Sequence, residues 1–596
     1  MGGVYTGKYY FRFDSLSDII DWMLSKSEGF YYAHNLAFDG VYLMSELHRR
    51  NVEHSFKDCH GKLMEVKILK RWAWKINKKN GKKYKDKHFI IIRDSFSLFP
   101  VAQKALAEMF CVPTQKLDVD FKALERMKLK DALPIYEERN RTDCIGLHEI
   151  LTKAQKEVLQ DFGVDIRKCM TTAQLSLKSF RTKYLGFELF NPVVMGNFFD
   201  REVTKEAEFF SEAYAGGRVE VFDMNEHRLV NGYDVNSMYP SVMRENVPIG
   251  KYKVFNGITK DNLLMLMGDY EGFAEVTVST REQDFPVLWK KIEGKLMFPN
   301  FDHSTGVFPF PELKRALETG MRIHEVKKVV IFRESRPIFR EFVEDVYAMR
   351  LKAKEEGNKG KSYLLKLILN SLYGKFAQKP LRDKIKIISE YDVINEQGEV
   401  FHNGEFFYTR EKEFKPAVFY MPFISAYITS YARVKLHEYL CQAVEPVYCD
   451  TDSVYCLELR ENSKEMGFMK LERTLHKFRA FNPKVYQSVE VMKAKGIPRH
   501  ILNDTKDLSV FYSEPAEWET LCSIRRSLTV KNNVSYEKGL VKYVKMSRRF
   551  VSKYNKREVL EDGATRPLWL VDDCLTPLLL HKSLDTNRIN QKRAQR

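Results

Sequence analysis

The segment Val447-Tyr448-Cys449-Asp450-Thr451-Asp452-Ser453-Val454-Tyr455 constrains the chain most. Apolar half-strands on both sides of an acidic turn read as a β-hairpin with carboxylates at its tip. A second segment, Tyr233-Asp234-Val235-Asn236-Ser237-Met238-Tyr239-Pro240-Ser241, reads as a buried strand with Asp234 at its end. Pro240 suits the first turn of a helix that follows. Carboxylates in apolar surroundings are costly unless something positive is shared between them. A divalent cation resolves that cost. Magnesium takes oxygen ligands, is content with one or two carboxylates, and completes its shell with phosphates and water. Alone, an Asp-x-Asp reads as an ordinary surface turn; a third segment tips the balance.

Lys361 to Phe376 reads KSYLLKLILNSLYGKF. Leu364, Leu365, Ile368 and Leu372 line one side of a helix, while Lys366, Asn370 and Tyr373 recur at i, i+4 and i+7 on another. A lysine, an amide and an aromatic on one stripe can meet a triphosphate, a base edge and a stacked base. Arg350 lies one helix upstream, beyond the basic residues Lys352, Lys354, Lys359 and Lys361. It offers a second cation for phosphate charge. Lys and Arg number 97 against 80 Asp and Glu, a net of +17. That surplus favours a polyanionic partner.

In this order, the three segments resemble motifs A, B and C of family B DNA polymerases, which run D-x-x-S-x-Y-P, K-x-x-x-N-S-x-Y-G and Y-x-D-T-D-S. The matching residues are Asp234, Ser237, Tyr239 and Pro240; Lys366, Asn370, Ser371, Tyr373 and Gly374; and Tyr448, Asp450, Thr451, Asp452 and Ser453. The resemblance implies an α/β multidomain chain. Its right-hand polymerase of palm, fingers and thumb would follow a ribonuclease H-like 3′-5′ exonuclease-type domain. It implies that Asp234 and Asp452, with the carbonyl of Val235, bind two Mg²⁺ ions (Mn²⁺ being a possible substitute), assisted by Asp450. Lys366 and Arg350 would grip the incoming dNTP. Tyr239 would exclude a 2′-hydroxyl, and Asn370 and Tyr373 would shape the base-pair pocket. Ser237 and Tyr448 would lie against DNA.

Further local matches resemble the protein-primed branch of that family. Tyr214-Ala215-Gly216-Gly217 is similar to its Tyr-x-Gly-Gly motif, Thr429 to Arg433 to its Thr-x-x-Ala/Gly-Arg motif, and Lys484-Val485-Tyr486 to its Lys-x-Tyr motif, all of which contact DNA. The gaps between motifs, about 120 and about 70 residues, imply two insertions, one for a terminal protein and one that encircles DNA. The expected division is 1–160 exonuclease-like and incomplete, 161–230 connector, 231–249 with 417–460 palm, and 250–335 first insertion. It continues with 336–377 fingers, 378–416 second insertion, 461–575 palm end and thumb, and 576–596 a basic, disordered tail.

The exonuclease match is uneven. Tyr32 to Asp39 resembles its second motif, with Asp39 as metal ligand and Asn35 and Phe38 holding single-stranded DNA. The strand Phe30–Ala33 is expected to lead into a turn and a helix from near Phe38. Ser95 and Phe96 resemble a DNA-contact segment, and Lys116 a catalytic lysine. Asp143 stands for the third motif, but Arg139 occupies the position where that motif carries Tyr, and no Asp-x-Glu precedes Asn35. Two-metal hydrolysis needs that carboxylate pair. The expectation is therefore weak or absent proofreading, from an N-terminally truncated or altered domain. Lys78 to Lys83 reads as a hairpin tip because Asn80-Gly81 suits a type I′ turn, and Asn395 to Gly398 reads as another turn.

Nine cysteines without CxxC spacing speak against a zinc site or disulfide framework, and Cys449 and Cys456 read as packing residues. With no long apolar run and no signal-peptide pattern, the expected setting is cytoplasmic, wherever the replicon resides, for a monomer without membrane contact. The Thr between Asp450 and Asp452 argues against a reverse transcriptase. A primer-independent relative and an inactive DNA-binding relative are the remaining alternatives. Replacing Tyr239 with a small residue should raise NTP incorporation relative to dNTP; unchanged sugar discrimination would reject the steric role.

Overall fold

The structure is a computed structural model. It describes residues 2–26, 29–59, 62–76, 83–185, 201–378, 381–388, 393, 400–402, 407–414, 419–523, 541–549 and 554–576. The two turns expected at 78–82 and 395–398, and the basic tail, lie outside these residues.

A seven-stranded antiparallel sheet carries the motif residues. Its order is Met492–Ala494, Val485–Gln487, Met469–Asn482, His227–Val235, Ser453–Cys456, Tyr448–Asp450 and Val219–Val221. The strand ending in Val235 is central because Val230, Tyr233 and Val235 are buried. The acidic hairpin forms as expected, with Asp450 opposite Ser453 and Thr451 in the left-handed conformation at φ 66°. Behind the sheet runs the helix Pro422–Gln442, buried on nearly every side, as its all-round apolar sequence requires.

The helices Arg340–Glu355 and Lys359–Ser371 form an antiparallel pair joined at Gly357, and Leu364, Leu365 and Ile368 are buried against the central core. Between them and the central strand in sequence lies a four-stranded sheet, ordered Ser304–Pro309, Glu271–Ser279, Arg322–Arg336, Val247–Asn256, with a core of its own. One of its connecting segments, Asn300–Asp302, pairs in parallel with Trp569–Val571 near the C-terminal end. Leu381–Ile388, Phe407–Phe414 and Val400–His402 form a separate three-stranded sheet.

At the N-terminal side, Gly29–Ala33, Lys83–Asp94, Lys62–Ile76 and His54–Cys59 form a four-stranded sheet whose first pair is parallel. The helix expected near Phe38 begins at Leu36. Asn35 takes φ 72°, and the Asp94 carboxylate accepts from the backbone N–H groups of Asn35 and Leu36, capping the helix from a neighbouring strand. Long-range capping of this kind leaves no local sequence signal. The hairpin Gly2–Tyr5 with Tyr10–Phe13 stands outside that sheet and lies on the long helix Leu129–Phe162, where the Tyr10 hydroxyl donates to Asn140.

Behind the acidic hairpin lies a buried ionic group. Arg218 (1 % exposed) donates from Nε to Glu220 (0 %), and Arg557 (2 %) lies 3.7 Å from the same carboxylate. Arg218 also donates to Pro286 O, and Arg557 to Asp284 O and to Thr565. Thus one carboxylate joins the edge strand, the adjoining sheet region and the C-terminal segment. Removing one partner of a buried ion group strands the other charges. Glu220→Ala should cost about 3–5 kcal/mol of stability, read from denaturant unfolding, and adding Arg218→Met and Arg557→Met should restore much of it.

Candidate active site

Asp234 pairs with Ser453 across the sheet, and Val235 N–H donates to Asp452 O at 2.8 Å. Two hydrogen-bonding geometries therefore bring the strand end and the hairpin tip together. They border a cavity of about 470 Å³ lined by Asp234, Asp450, Asp452 and Glu472 on one hand and Arg473, Lys484 and Lys493 on the other.

The three aspartates differ in surroundings. Lys484 Nζ donates to Asp450 Oδ1, while Thr451 and Tyr448 hydroxyls approach its two oxygens. Asp450 is thus already neutralised. Burial, then the charges of Asp452 and Glu472, push the Asp234 carboxyl up to about 7, opposed by Lys366 and Arg473. Asp452 is likewise raised by burial and then by Asp450, opposed by its own backbone N–H and by Lys484 and Lys366. Two half-buried, mutually repelling carboxylates are a donor set that a divalent cation would relieve. Among the described residues no three acidic, histidine or cysteine side chains converge as a metal-holding group. Mg²⁺ is content with one or two carboxylates when substrate phosphates and water complete its shell.

Cations face the same region from the helical pair. Lys366 and Asn370 share the exposed side of the helix away from its buried leucines, as the periodicity predicts, but the helix ends at Ser371 and Tyr373 opens the next short helix, Tyr373–Phe376. Arg350 is half-buried, and its Nε has no hydrogen-bond partner among the described residues. Lys354 is depressed by desolvation and then by Arg350, Lys366 and Lys470, so it lies within the fields of these three cations. By contrast Lys361 is occupied by Glu157 and Asp161 at 3.1 and 3.0 Å. Tyr239 stacks on Tyr373, ring centres 4.5 Å apart and planes within 12°. Burial raises both phenols, and Tyr214 adds to the effect on each. Ser237 takes φ 59° at the start of the short helix Met238–Val242.

Gly217 belongs to this site by shape. A Cβ there would meet Thr451 Cγ2 at 2.7 Å and Cα at 3.1 Å, whereas one on Gly216 would meet nothing within 4 Å. Thr451 N–H also donates to Arg218 O. The second glycine therefore lets the Tyr214–Gly217 segment lie against the acidic turn.

Several expected DNA contacts sit elsewhere. Arg433 is 3 % exposed, bonded through Nε to Glu312 and through Nη1 to the carbonyls of Ala215 and Gly216, and Thr429 is buried beside it. Arg433 supports the Tyr214–Gly217 backbone, while the Thr429 hydroxyl donates to Ala426 O within its own helix. Tyr486 packs among Tyr448, Tyr455 and Phe478 beneath the hairpin, and it also lines the cavity at Asp234 and Asp452 beside Lys484. In the N-terminal sheet region Ser95 is fully buried, its hydroxyl donating to Ala33 O, which corrects its reading as a DNA contact. Phe96 packs edge-on against His34. Asn35 and Phe38 are exposed, near Asp39, whose carboxyl is pushed up to about 6 by desolvation on its inner side and by Asp143. Asp143 itself is bridged by Lys116 at 3.1 Å and Arg139 at 3.2 Å.

The sequence reading missed Glu472, Arg473 and Lys493, which line the cavity from strands remote in sequence and carry no motif. It also missed Glu312, whose acidic character makes sense only beside Arg433.

With this geometry in view, comparison with known proteins is decisive. The family model for DNA polymerase type B, organellar and viral, matches residues 20–141 and 140–453. The chain belongs to that family. It is 28 % identical to the DNA-directed DNA polymerase of Enterobacteria phage PRD1 over 72 % of this chain and 71 % of that one. It is 27 % identical to the DNA polymerase of Bacillus phage M2 over 92 % of both. A probable DNA polymerase of Ascobolus immersus is 25 % identical over 80 % of this chain, which spans only 43 % of that longer protein. Phi29 DNA polymerase, solved with primer-template DNA and incoming nucleotide, superposes with a TM-score of 0.66 at 19 % identity, covering 91 % of this chain and 94 % of that one. That likeness establishes the fold of this family B member: a right-hand polymerase together with an exonuclease-type domain. No described helix is long and apolar enough to cross a membrane.

The raised Asp234 sets a pH dependence without divalent cation. An unfolded Asp releases its proton near pH 4 and the folded one only near 7, so ionisation opposes folding and stability falls as pH rises across that window. Asp234→Asn should therefore melt progressively higher than wild type from pH 4 to 7 in chelator, with the gap narrowing on adding Mg²⁺. A pH-independent gap would reject the assignment.

Proposed function

We propose that this chain is a DNA-directed DNA polymerase that adds dNMP to a primer 3′-hydroxyl on a DNA template, with release of pyrophosphate. The observation that carries this reading is the pair of half-buried carboxylates, Asp234 and Asp452, both within the field of the Lys366 cation. Two Mg²⁺ ions held by Asp234, Asp452 and the Val235 carbonyl would activate the attacking hydroxyl and stabilise the leaving oxygen. Arg350, Lys354 and Lys366 bind the triphosphate and neutralise the departing pyrophosphate. Tyr239, braced by Tyr373, closes the sugar side of the pocket, and Asn370 lies along the base-pair side. Lys484, by holding Asp450, fixes the hairpin tip where the primer end arrives.

Priming by a terminal protein and strand-displacing copying of a linear replicon are the finer reading. They are supported by the phage relatives and by the two additional sheet regions, 247–336 and 381–414, which lie between the motif segments. On this reading 231–249 with 417–460 form the palm, 336–377 the fingers, and 461–575 the palm end and thumb. The enzyme works as a monomer in the compartment that holds its replicon. Proofreading is weak, because Asp143 is already bridged by two cations and Asp94 is engaged by backbone N–H groups.

Primer extension with Mg²⁺ and dNTPs, comparing wild type with Asp452→Ala, tests the reading. Wild type should extend and the variant should lose at least about a hundredfold, the scale of a removed electrostatic contact in the transition state. Equal extension by both would reject the site. A labelled single strand should stay intact in the same preparation, and Asp39-dependent shortening would reject weak proofreading.

A further inference from the structure

Two tryptophans stand on a β-ribbon that leaves its sheet. Lys62–Ile76 and Lys83–Asp94 pair from Glu65–Arg93 to Ile76–Lys83, yet the buried residues of the two strands reach only to Ile68 and Ile90. Every residue from Arg71 to Ile76 is exposed. Successive side chains of a strand point to opposite faces, so both faces of the ribbon lie in solvent there. Trp72 is 47 % exposed and Trp74 59 %.

The register places Trp72 opposite Lys87, Trp74 opposite Lys85 and Ile76 opposite Lys83, all on one face. Lys85 Nζ is 4.3 Å from the Trp72 ring centre and 5.7 Å from that of Trp74, and the indoles meet edge to face at 6.1 Å. Lys70–Ile76 and Lys83–Lys87 together hold six Lys or Arg and one Asp. Lys75 pairs with that aspartate, Asp86, and Lys87 with Glu53.

Exposed rings grouped with cations select a ligand that has flat π-faces and repeated negative charge. Single-stranded nucleic acid has both, since bases stack on aromatic side chains while phosphates follow the cations. A duplex hides its base faces, and an acidic peptide supplies charge without a run of rings. None of the ribbon residues lines the cavity at Asp234 and Asp452. We propose that the ribbon face bearing Trp72, Trp74, Lys83 and Lys85 binds single-stranded DNA at a site separate from the primer–template site. For a polymerase, a reading on which this last step rests, that strand is template ahead of the primer end or the strand displaced from it.

The test is the anisotropy of a labelled oligo(dT) titrated into the full chain already saturated with unlabelled primer–template duplex. Trp72→Ala with Trp74→Ala should weaken oligo binding at least about tenfold, and Lys85→Ala should weaken it and flatten its salt dependence. Both variants should extend a short primer as wild type does, which shows that they fold. Unchanged oligo affinity in the tryptophan double variant overturns the proposal, as does loss of all oligo binding once duplex saturates the protein. Tryptophan-dependent oligo binding by a chain that extends no primer would reject the polymerase reading and leave this site standing.

Discussion

Holding Asp234 and Asp452 next to each other is the constraint around which the centre of the molecule is organised. Like charges in a half-buried place repel, and only a rigid frame keeps them together until a cation arrives. The frame here is assembled from distant pieces. Asp234 is fixed by pairing with Ser453, and the tip of the hairpin by Thr451 N–H to Arg218 O and by the contact with Gly217. The edge strand beyond it rests on Glu220, which Arg218 and Arg557 enclose. Tyr554 and Thr565, from the C-terminal segment, bond the backbone at Val221. Segments as far apart in sequence as Gly217 and Thr565 thus share in holding the two carboxylates.

A net charge of +17 says little about where a polyanion would bind. The structure sorts the cations by what they already hold. Lys361 is spent on Glu157 and Asp161, Arg433 on Glu312, Lys484 on Asp450, and Arg218 on Glu220. Lys354 by contrast is depressed by the neighbouring cations Arg350 and Lys366, and Arg350 Nε is buried without a hydrogen-bond partner among the described residues. The same sorting separates Arg433 from DNA. Its guanidinium lies under the Tyr214–Gly217 segment, so whatever that segment touches, Arg433 influences only by positioning it.

At the N-terminal side the same logic explains why a familiar pattern carries different roles. Asp94 caps a helix and closes a turn through backbone N–H groups, and Ser95 is sealed beneath it. Arg139 reaches Asp143 one helical turn away. Lys116 reaches the same carboxylate, whose charge in turn adds to the rise of Asp39.

The sequence alone determined the local units: the acidic hairpin, the strand ending in Asp234, and the helix whose leucines point inward while Lys366 and Asn370 point outward. Each follows from periodicity or turn chemistry within about ten residues, which is the range over which backbone geometry is dictated locally. The family followed from the order of those units. What only the tertiary structure decided was the state of each polar group. Thr429, Arg433, Tyr486 and Ser95 look like their neighbours in sequence, yet packing encloses them. Glu472 and Glu312 look unremarkable and come to lie beside Asp234 and Arg433. Burial, charge pairing and free volume are set by segments hundreds of residues apart, and no short-range pattern encodes which of two identical side chains will meet water.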